Sequence, residues 1–344
     1  MHFGPISILT EELYRQEERR GRRTSVWGCE PVGEMRVEAP RTFRHSNDGG
    51  VRLMENRRYV IVTPVRDEAA HIAKTIAAVG SQTVRPLRWI VVDDGSTDGT
   101  GEILDRHASQ TSWMSVVHRP NRGHRANGGG VMEAFYAGYA VLNDEAWDYL
   151  VKLDGDLSFS PEYFERCFAM FEAEPRLGIG GGIVCQLEHG ETSVDSKGDP
   201  PFHVRGATKI YRRECWAQIA PLVRAPGWDT IDEVKANMLG WATGTFPELR
   251  IVQHKPTGSA DGAWRNAFKN GRANYVTGYD PVFMLAKCVK RVLARPVFVG
   301  GLAMALGFWS GYLARLPRVS DAGVIDYLRR QQRRRLLLRS SIYG

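Results

Sequence analysis

The sequence predicts an α/β fold: a mostly parallel sheet with helices on both faces. Two observations carry this. From Tyr59 onward, short β-branched runs alternate with helix-length amphipathic segments, the pattern of parallel strands joined by crossover helices. Three of these runs end in acidic residues, Asp67-Glu68, Asp93-Asp94 and Asp154/Asp156. In such sheets ligands collect at the C-terminal ends of the strands, so the acidic ends mark the expected site.

Order begins at Tyr59–Pro64, a β-branched run suited to a buried parallel strand. Glu68–Val79 reads as a helix, with Ile72, Ile76 and Val79 on one face. Leu87–Val92 is the second strand, Thr100–His107 a helix, Trp113–His118 the third strand and Arg125–Val141 a helix. Tyr149–Leu153 is the fourth strand and Pro161–Phe171 the next helix. Leu177–Cys185 is a strand whose Gly180-Gly181-Gly182 suggests close backbone approach or a bend. Glu188–Pro200 is polar and reads as a loop. Gly206–Trp216 is strand then helix, Asp232–Leu239 helix, Ala242–His254 extended chain, and Ala263–Tyr275 a basic helix.

The formal net charge of +7 is unevenly placed. Residues 59–285 hold 23 Lys/Arg against 28 Asp/Glu, whereas residues 286–344 hold 12 Lys/Arg against Asp321 and Asp326. An acidic core with a basic tail argues against nucleic acid as a partner and for an anionic surface facing the tail. The five cysteines lack any C-x-x-C spacing, which fits a reducing compartment, and no secretory h-region is visible. Three segments are expected: a partly flexible extension over 1–58, a main domain over 59–285, and a basic, hydrophobic helical segment over 286–344.

Asp154-Gly155-Asp156 places two carboxylates one residue apart at a strand end, and Gly155 permits the sharp turn that aims both at the sheet edge. A divalent cation would relieve their repulsion, and all-oxygen ligation suits Mg²⁺ or Mn²⁺ completed by substrate phosphates. The alternative is a plain turn with Asp156 and Ser160 capping before Pro161. Asp93-Asp94-Gly95-Ser96-Thr97-Asp98 follows a strand and opens a helix, forming a pocket for a base or sugar edge, with Ser96 or Asp98 also able to cap. No Gly-x-Gly-x-x-Gly follows either early strand, which disfavours a dinucleotide-binding dehydrogenase.

Taken together, Val62–Glu68, Val91–Asp98, Asn121–Gly128, Leu153–Asp156 and Trp228–Glu233 resemble family 2 glycosyltransferases of the GT-A fold, over about Tyr59 to Pro281. The resemblance implies an inverting enzyme moving a sugar from a UDP- or GDP-sugar to an acceptor hydroxyl, in lipid-linked or cell-surface polysaccharide synthesis. It implies nucleotide contacts from Pro64, Asp67 or Glu68, and Asp94, with Arg125 on phosphate. Asp154 and Asp156 would bind the metal, Asp156 directly, while Asp154 could instead reach the donor ribose or sugar. His254 could be a third ligand or a diphosphate contact. The general base falls in the later acidic cluster: Asp232 first, Glu233 second, Asp229 third. The order Asp-Glu stands here where many relatives have Glu-Asp. Lys269-Asn270-Gly271-Arg272 replaces the Gln-x-x-Arg-Trp motif of processive synthases. The Asp-x-Asp surroundings are similar to the polyprenol-phosphate mannose synthase type, although Leu157-Ser158 lacks its Gln. An inactive nucleotide-sugar-binding subunit and a nucleotidyltransferase are the alternatives.

Residues 296–314 are uncharged and apolar, with basic residues on both sides. As a helix they would reach about 28 Å, against a hydrocarbon core of about 30 Å. A crossing, an interfacial hairpin and burial in a soluble core all remain open. The expected location is the cytoplasmic face of the membrane, peripheral or with one short hydrophobic segment, and the basic run Arg329–Arg339 would face anionic lipid.

Overall fold

The computed structural model describes residues 57–123, 128–142, 146–188, 191–194, 199–255, 262–292 and 299–344, all within one compact unit, Asp48–Gly344. The expected N-terminal extension lies almost wholly outside the described residues, and Arg125 entirely so. Strands β1 (Tyr59–Val65), β2 (Arg88–Asp93), β3 (Met114–His118) and β4 (Tyr149–Leu153) form a parallel array in the order β3-β2-β1-β4. Between them run α1 (Ile72–Gly80), α2 (Thr100–Ala108) and α3 (Gly129–Tyr139). The pleat sorts each strand between two cores. Tyr59, Ile61, Trp89, Val91, Tyr149 and Val151 face one core, with Ile72 and Val79 of α1 and Leu104 of α2. Val60, Val62, Ile90, Val92 and Leu150 face the other, with Met132 and Phe135 of α3. Both faces are covered, so the strands read as continuous apolar runs.

The second half departs from the expected parallel sheet. It comprises β5 (Leu157–Phe159), α4 (Tyr163–Ala173), β6 (Leu177–Glu188), β7 (Glu191–Val194), β8 (Thr208–Arg212), α5 (Arg213–Ile219), α6 (Trp228–Met238) and β9 (Ala242–Gln253). The nine strands run β3-β2-β1-β4-β8-β6-β9-β5, with β7 on β6. β8 is antiparallel to both β4 and β6, β5 to β9 and β7 to β6, so the sheet is mixed. Burial on both faces makes a strand apolar whichever way it runs, so composition did not carry this direction. Part of the segment expected as a polar loop is strand β7, which closes a hairpin on β6.

Four helices follow: α7 (Gly262–Val276), α8 (Pro281–Val292), α9 (Val299–Leu313) and α10 (Ala322–Leu336). They share a third core with α6, in which Ile231 and Val234 meet Tyr275, Met284, Met304, Phe308, Val324 and Leu328. Of the apolar run expected over 296–314, residues 296–298 lie outside the described residues and Val299–Leu313 form α9, 15 residues long and packed on α7. A Cβ on Gly271 would stand 2.1 Å from the Met304 carbonyl oxygen, and one on Gly307 would stand 2.0 Å from that of Phe268. These glycines therefore let the two backbones touch. Among the described residues no helix is long and apolar enough to cross a membrane.

Candidate active site

The C-terminal ends of β1, β2 and β4 meet at one edge because their registers align. Pro64 lies opposite Val92 and Val65 opposite Asp93, while Val62 opposite Lys152 carries the chain after β4 up beside Pro64. The turn after β2 is fixed by Gly95, whose φ is +74° and whose Cβ would stand 2.4 Å from the Asn121 Cα. Asp67, itself at φ +53°, accepts from the Thr97 N–H at 3.0 Å, and its own N–H donates to Ser96 Oγ at 2.9 Å. Asp94 is 8 % exposed and accepts from Arg119 Nη1 at 2.6 Å and from Arg122 Nη2 at 2.6 and 2.5 Å. The expected nucleotide residues Pro64, Asp67, Glu68 and Asp94 are thus brought to one wall. Asp94 already carries two guanidinium partners there.

The Asp-x-Asp turn lies next to that wall. Asp156 is 4 % exposed; its Oδ2 accepts from Gln253 Nε2 at 3.1 Å, and its carbonyl accepts from the His254 N–H at 2.8 Å. Burial raises its pKa, and the charge of Glu68 adds to the rise. Glu68 Oε1 pairs with Lys255 Nζ at 2.8 Å, while Oε2 is buried without a hydrogen-bond partner. Asp154 is bonded by the buried Lys152 ammonium, which also donates to the Gly206 carbonyl. Its surroundings push the Asp154 carboxyl up to about 6, chiefly through desolvation, with Lys152 opposing and Asp156 and Asp229 adding. His254 sits beside the turn, its Nε2 2.9 Å from Ser158 Oγ and its Nδ1 3.3 Å from Lys74 Nζ. Burial, then Lys74 and His71, lower its pKa, which favours the neutral ring.

The later acidic cluster divides. Asp232 and Glu233, the first two base candidates, have side chains with no exposure. Lys209 Nζ, equally buried, lies 2.8 and 2.9 Å from the Asp232 oxygens and 2.7 Å from Glu233 Oε1. Tyr211 Oη donates to Asp232 at 2.7 Å; Glu233 also accepts from the Val204 N–H at 2.7 Å and lies 2.9 Å from His203 Nδ1. Both carboxylates are therefore spoken for by an internal ion cluster. Asp229, one turn earlier on α6, is only half-buried and stands against Gly206, 3.2 Å from where its Cβ would be. Since the Gly206 carbonyl accepts from Lys152 and Lys152 holds Asp154, the acid facing the Asp-x-Asp turn is Asp229. Trp228 lies between the two lysines, 5.5 Å from Lys152 Nζ and 5.4 Å from Lys209 Nζ. Sequence reasoning did not single out Lys152, Lys209, Trp228 or His203. The available signal was a lysine inside each of two otherwise apolar strands, Tyr149–Leu153 and Thr208–Arg212.

Residues 60–214 match the family model described as glycosyl transferase family 2. The chain is similar to the polyprenol monophosphomannose synthase of Mycolicibacterium smegmatis, 28% identical over 128 residues that make up 37% of this chain and 46% of the relative. It is also similar to the undecaprenyl-phosphate mannosyltransferase of Micrococcus luteus, 29% identical over 109 residues, 32% of this chain and 42% of the relative. The chain thus spans less than half the length of these curated relatives. Among solved structures, the mannosyltransferase PcManGT of Pyrobaculum calidifontis, in complex with GDP-Man and Mn²⁺, aligns over 83% of this chain and 76% of its own with a TM-score of 0.48 and 16% identity. The matched segment includes Asp67, Glu68, Asp94, Asp154 and Asp156 but ends before Asp229–Glu233 and His254. The choice among these three acids therefore turns on the geometry of α6.

Proposed function

We propose that the chain is an inverting, metal-dependent glycosyltransferase of the GT-A type, using a UDP- or GDP-sugar and an acceptor hydroxyl on a glycan or lipid-linked sugar. The observation carrying this reading is the convergence of Asp94, Asp154, Asp156 and Asp229 on one sheet edge, three of them inside the family 2 segment. The names of the curated relatives support a polyprenyl-linked acceptor, and with it a peripheral place at a membrane.

The residues present fit a divalent cation. Asp154 and Asp229, and likewise Asp156 and Glu68, raise each other's burden of negative charge, and Glu68 leaves a buried oxygen without a partner. Among the described residues no cluster of three or more His, Cys, Asp or Glu is arranged to hold an ion by itself. That suits Mg²⁺ or Mn²⁺ held by Asp156, with Asp154 and His254 near, and completed by diphosphate oxygens. When bound, the ion offsets charge on the leaving nucleoside diphosphate. Pro64, Asp67 and Asp94 hold the nucleoside, with Arg119 and Arg122 orienting Asp94. Asp229 takes the proton of the acceptor hydroxyl as that oxygen bonds to the anomeric carbon. The bond to the diphosphate breaks on the opposite face, and its electron pair leaves with the diphosphate. Asp232 and Glu233 act from beneath, fixing α6 through Lys209.

Donor binding and turnover, measured on three variants, test this. Asp229→Asn is expected to lose turnover by about 10²–10⁴-fold with donor binding retained. Asp156→Ala should lose the Mn²⁺-dependent thermal stabilisation by nucleotide sugar. Asp232→Asn should lower stability more than turnover at permissive temperature. Full activity in Asp229→Asn with none in Asp232→Asn would return the base to Asp232. Donor binding without turnover in the unmodified chain would instead favour a nucleotide-sugar-binding subunit.

A further inference from the structure

We propose that helices α8, α9 and α10 form a docking surface for an anionic lipid bilayer, on which the chain lies without crossing. The argument starts from where apolar side chains meet solvent. Sixteen large hydrophobic residues are exposed among those described, and ten of them fall between Val282 and Leu338. Scattered exposed leucines need no explanation, but a concentration of this kind marks a contact surface.

Their spacing is helical. On α9, Leu302, Leu306, Trp309 and Leu313 follow one another at 4, 3 and 4 residues and are 53, 48, 47 and 86 % exposed. The opposite face of the same helix, with Gly301, Met304, Gly307, Phe308 and Gly311, is buried, much of it against α7. On α8, which packs against α9, Val282, Leu285 and Val289 make a second stripe, 66, 59 and 61 % exposed, while Met284 and Cys288 turn inward. Each helix therefore satisfies the core with one face and leaves a second apolar face outward.

Charge decides the occupant. Lys290 and Arg291 on α8 are exposed, as are Arg315 just beyond α9 and Arg330, Arg333, Arg334 and Arg335 on α10. Only Asp321 and Asp326 oppose the 12 basic residues from 286 onward. α10 is tied to the chain just before α8: Arg333 Nε pairs with the buried Asp280 at 2.7 Å, and Gln332 Oε1 accepts from the Asp280 N–H at 2.8 Å. Apolar stripes with an aromatic residue, flanked by Lys and Arg, match the interface of an anionic bilayer, where apolar groups enter the acyl boundary and cations meet headgroups. The inference deepens the lipid-linked acceptor reading and takes its purpose from it, while vesicle binding itself is measured without turnover.

The test is co-sedimentation of the full chain with vesicles of phosphatidylcholine alone or mixed with phosphatidylglycerol. The chain should pellet with the anionic vesicles and lose that association as salt rises. Leu306→Ser/Trp309→Ser and Arg330→Gln/Arg334→Gln/Arg339→Gln should each weaken it, the second by roughly a hundredfold. Both should keep the original melting temperature and nucleotide-sugar binding. Absence of pelleting by a chain that binds nucleotide sugar overturns the surface, as does pelleting that neither variant changes. A dimer that Leu306→Ser/Trp309→Ser dissociates, without vesicle binding, would assign the stripe to a second copy instead. Vesicle binding by a chain that binds no nucleotide sugar would support the surface and count against the transferase reading.

Discussion

Lys209 sets one buried ammonium against two buried carboxylates, Asp232 and Glu233. Removing it leaves uncompensated charge inside the protein, so Lys209→Met is expected to cost about 3–5 kcal/mol, read by denaturant unfolding. The cluster also has a pH signature. Burial carries the Asp232 carboxyl up to about 6 from the ordinary 3.8, with Lys209 opposing and Glu233 adding. The folded chain then takes up this proton at a higher pH than the unfolded chain. Its contribution to stability is complete below about pH 4 and is lost as pH rises through about 6. The melting temperature of Asp232→Asn should accordingly vary less between pH 7 and 5 than that of the unmodified chain. At this scale the sequence was informative wherever a role depends on neighbours in the chain, as at Gly95 and at Asp154-Gly155-Asp156. It was uninformative where three acids on one helix differ only in the direction each faces, as at Asp229, Asp232 and Glu233.

Helix α9 shows what an element adds. Its apolar run suggested a crossing, a hairpin or burial, and the structure makes it a short helix with one face seated on α7 through Gly271 and Gly307. A larger residue at Gly307 has no room against the Phe268 carbonyl. Gly307→Leu should therefore part the two helices and lower the melting temperature, at a cost of about 1–3 kcal/mol or more, whereas Leu306→Ser next to it should leave it unchanged. Elements β1 to β4 were legible because local connections set parallel neighbours, and their alternation with helices is visible in the chain. The directions of β8 and β9 were not, because each is set by partners far away in sequence: β8 pairs with β4 and β6, and β9 with β6 and β5. The short hairpin strand β7 was hidden in polar residues that look like loop.

Across the whole molecule, the uneven charge seen in the sequence maps onto two regions: an acidic sheet edge that suits a cation and a diphosphate, and a basic helical face at the C-terminal end. The sheet that joins them has a further consequence, in the order of its assembly. β5 emerges directly after the Asp-x-Asp turn, yet its partner is Ile251–Gln253 of β9, and Gln253 and His254 themselves touch Asp156. A chain made from its N-terminus must therefore hold the Asp-x-Asp turn unfinished, with β5 and β6 as open edges, until β9 has been synthesised. Such edges invite pairing with other chains. A fragment comprising residues 57–220, which contains the whole segment matched by the family 2 model, should for this reason aggregate and fail to bind nucleotide sugar, as size-exclusion chromatography and a binding assay would show. The late strand acts as a timer: the edge that gathers Asp94, Asp154 and Asp156 is completed only once α6, which carries Asp229, has already been made.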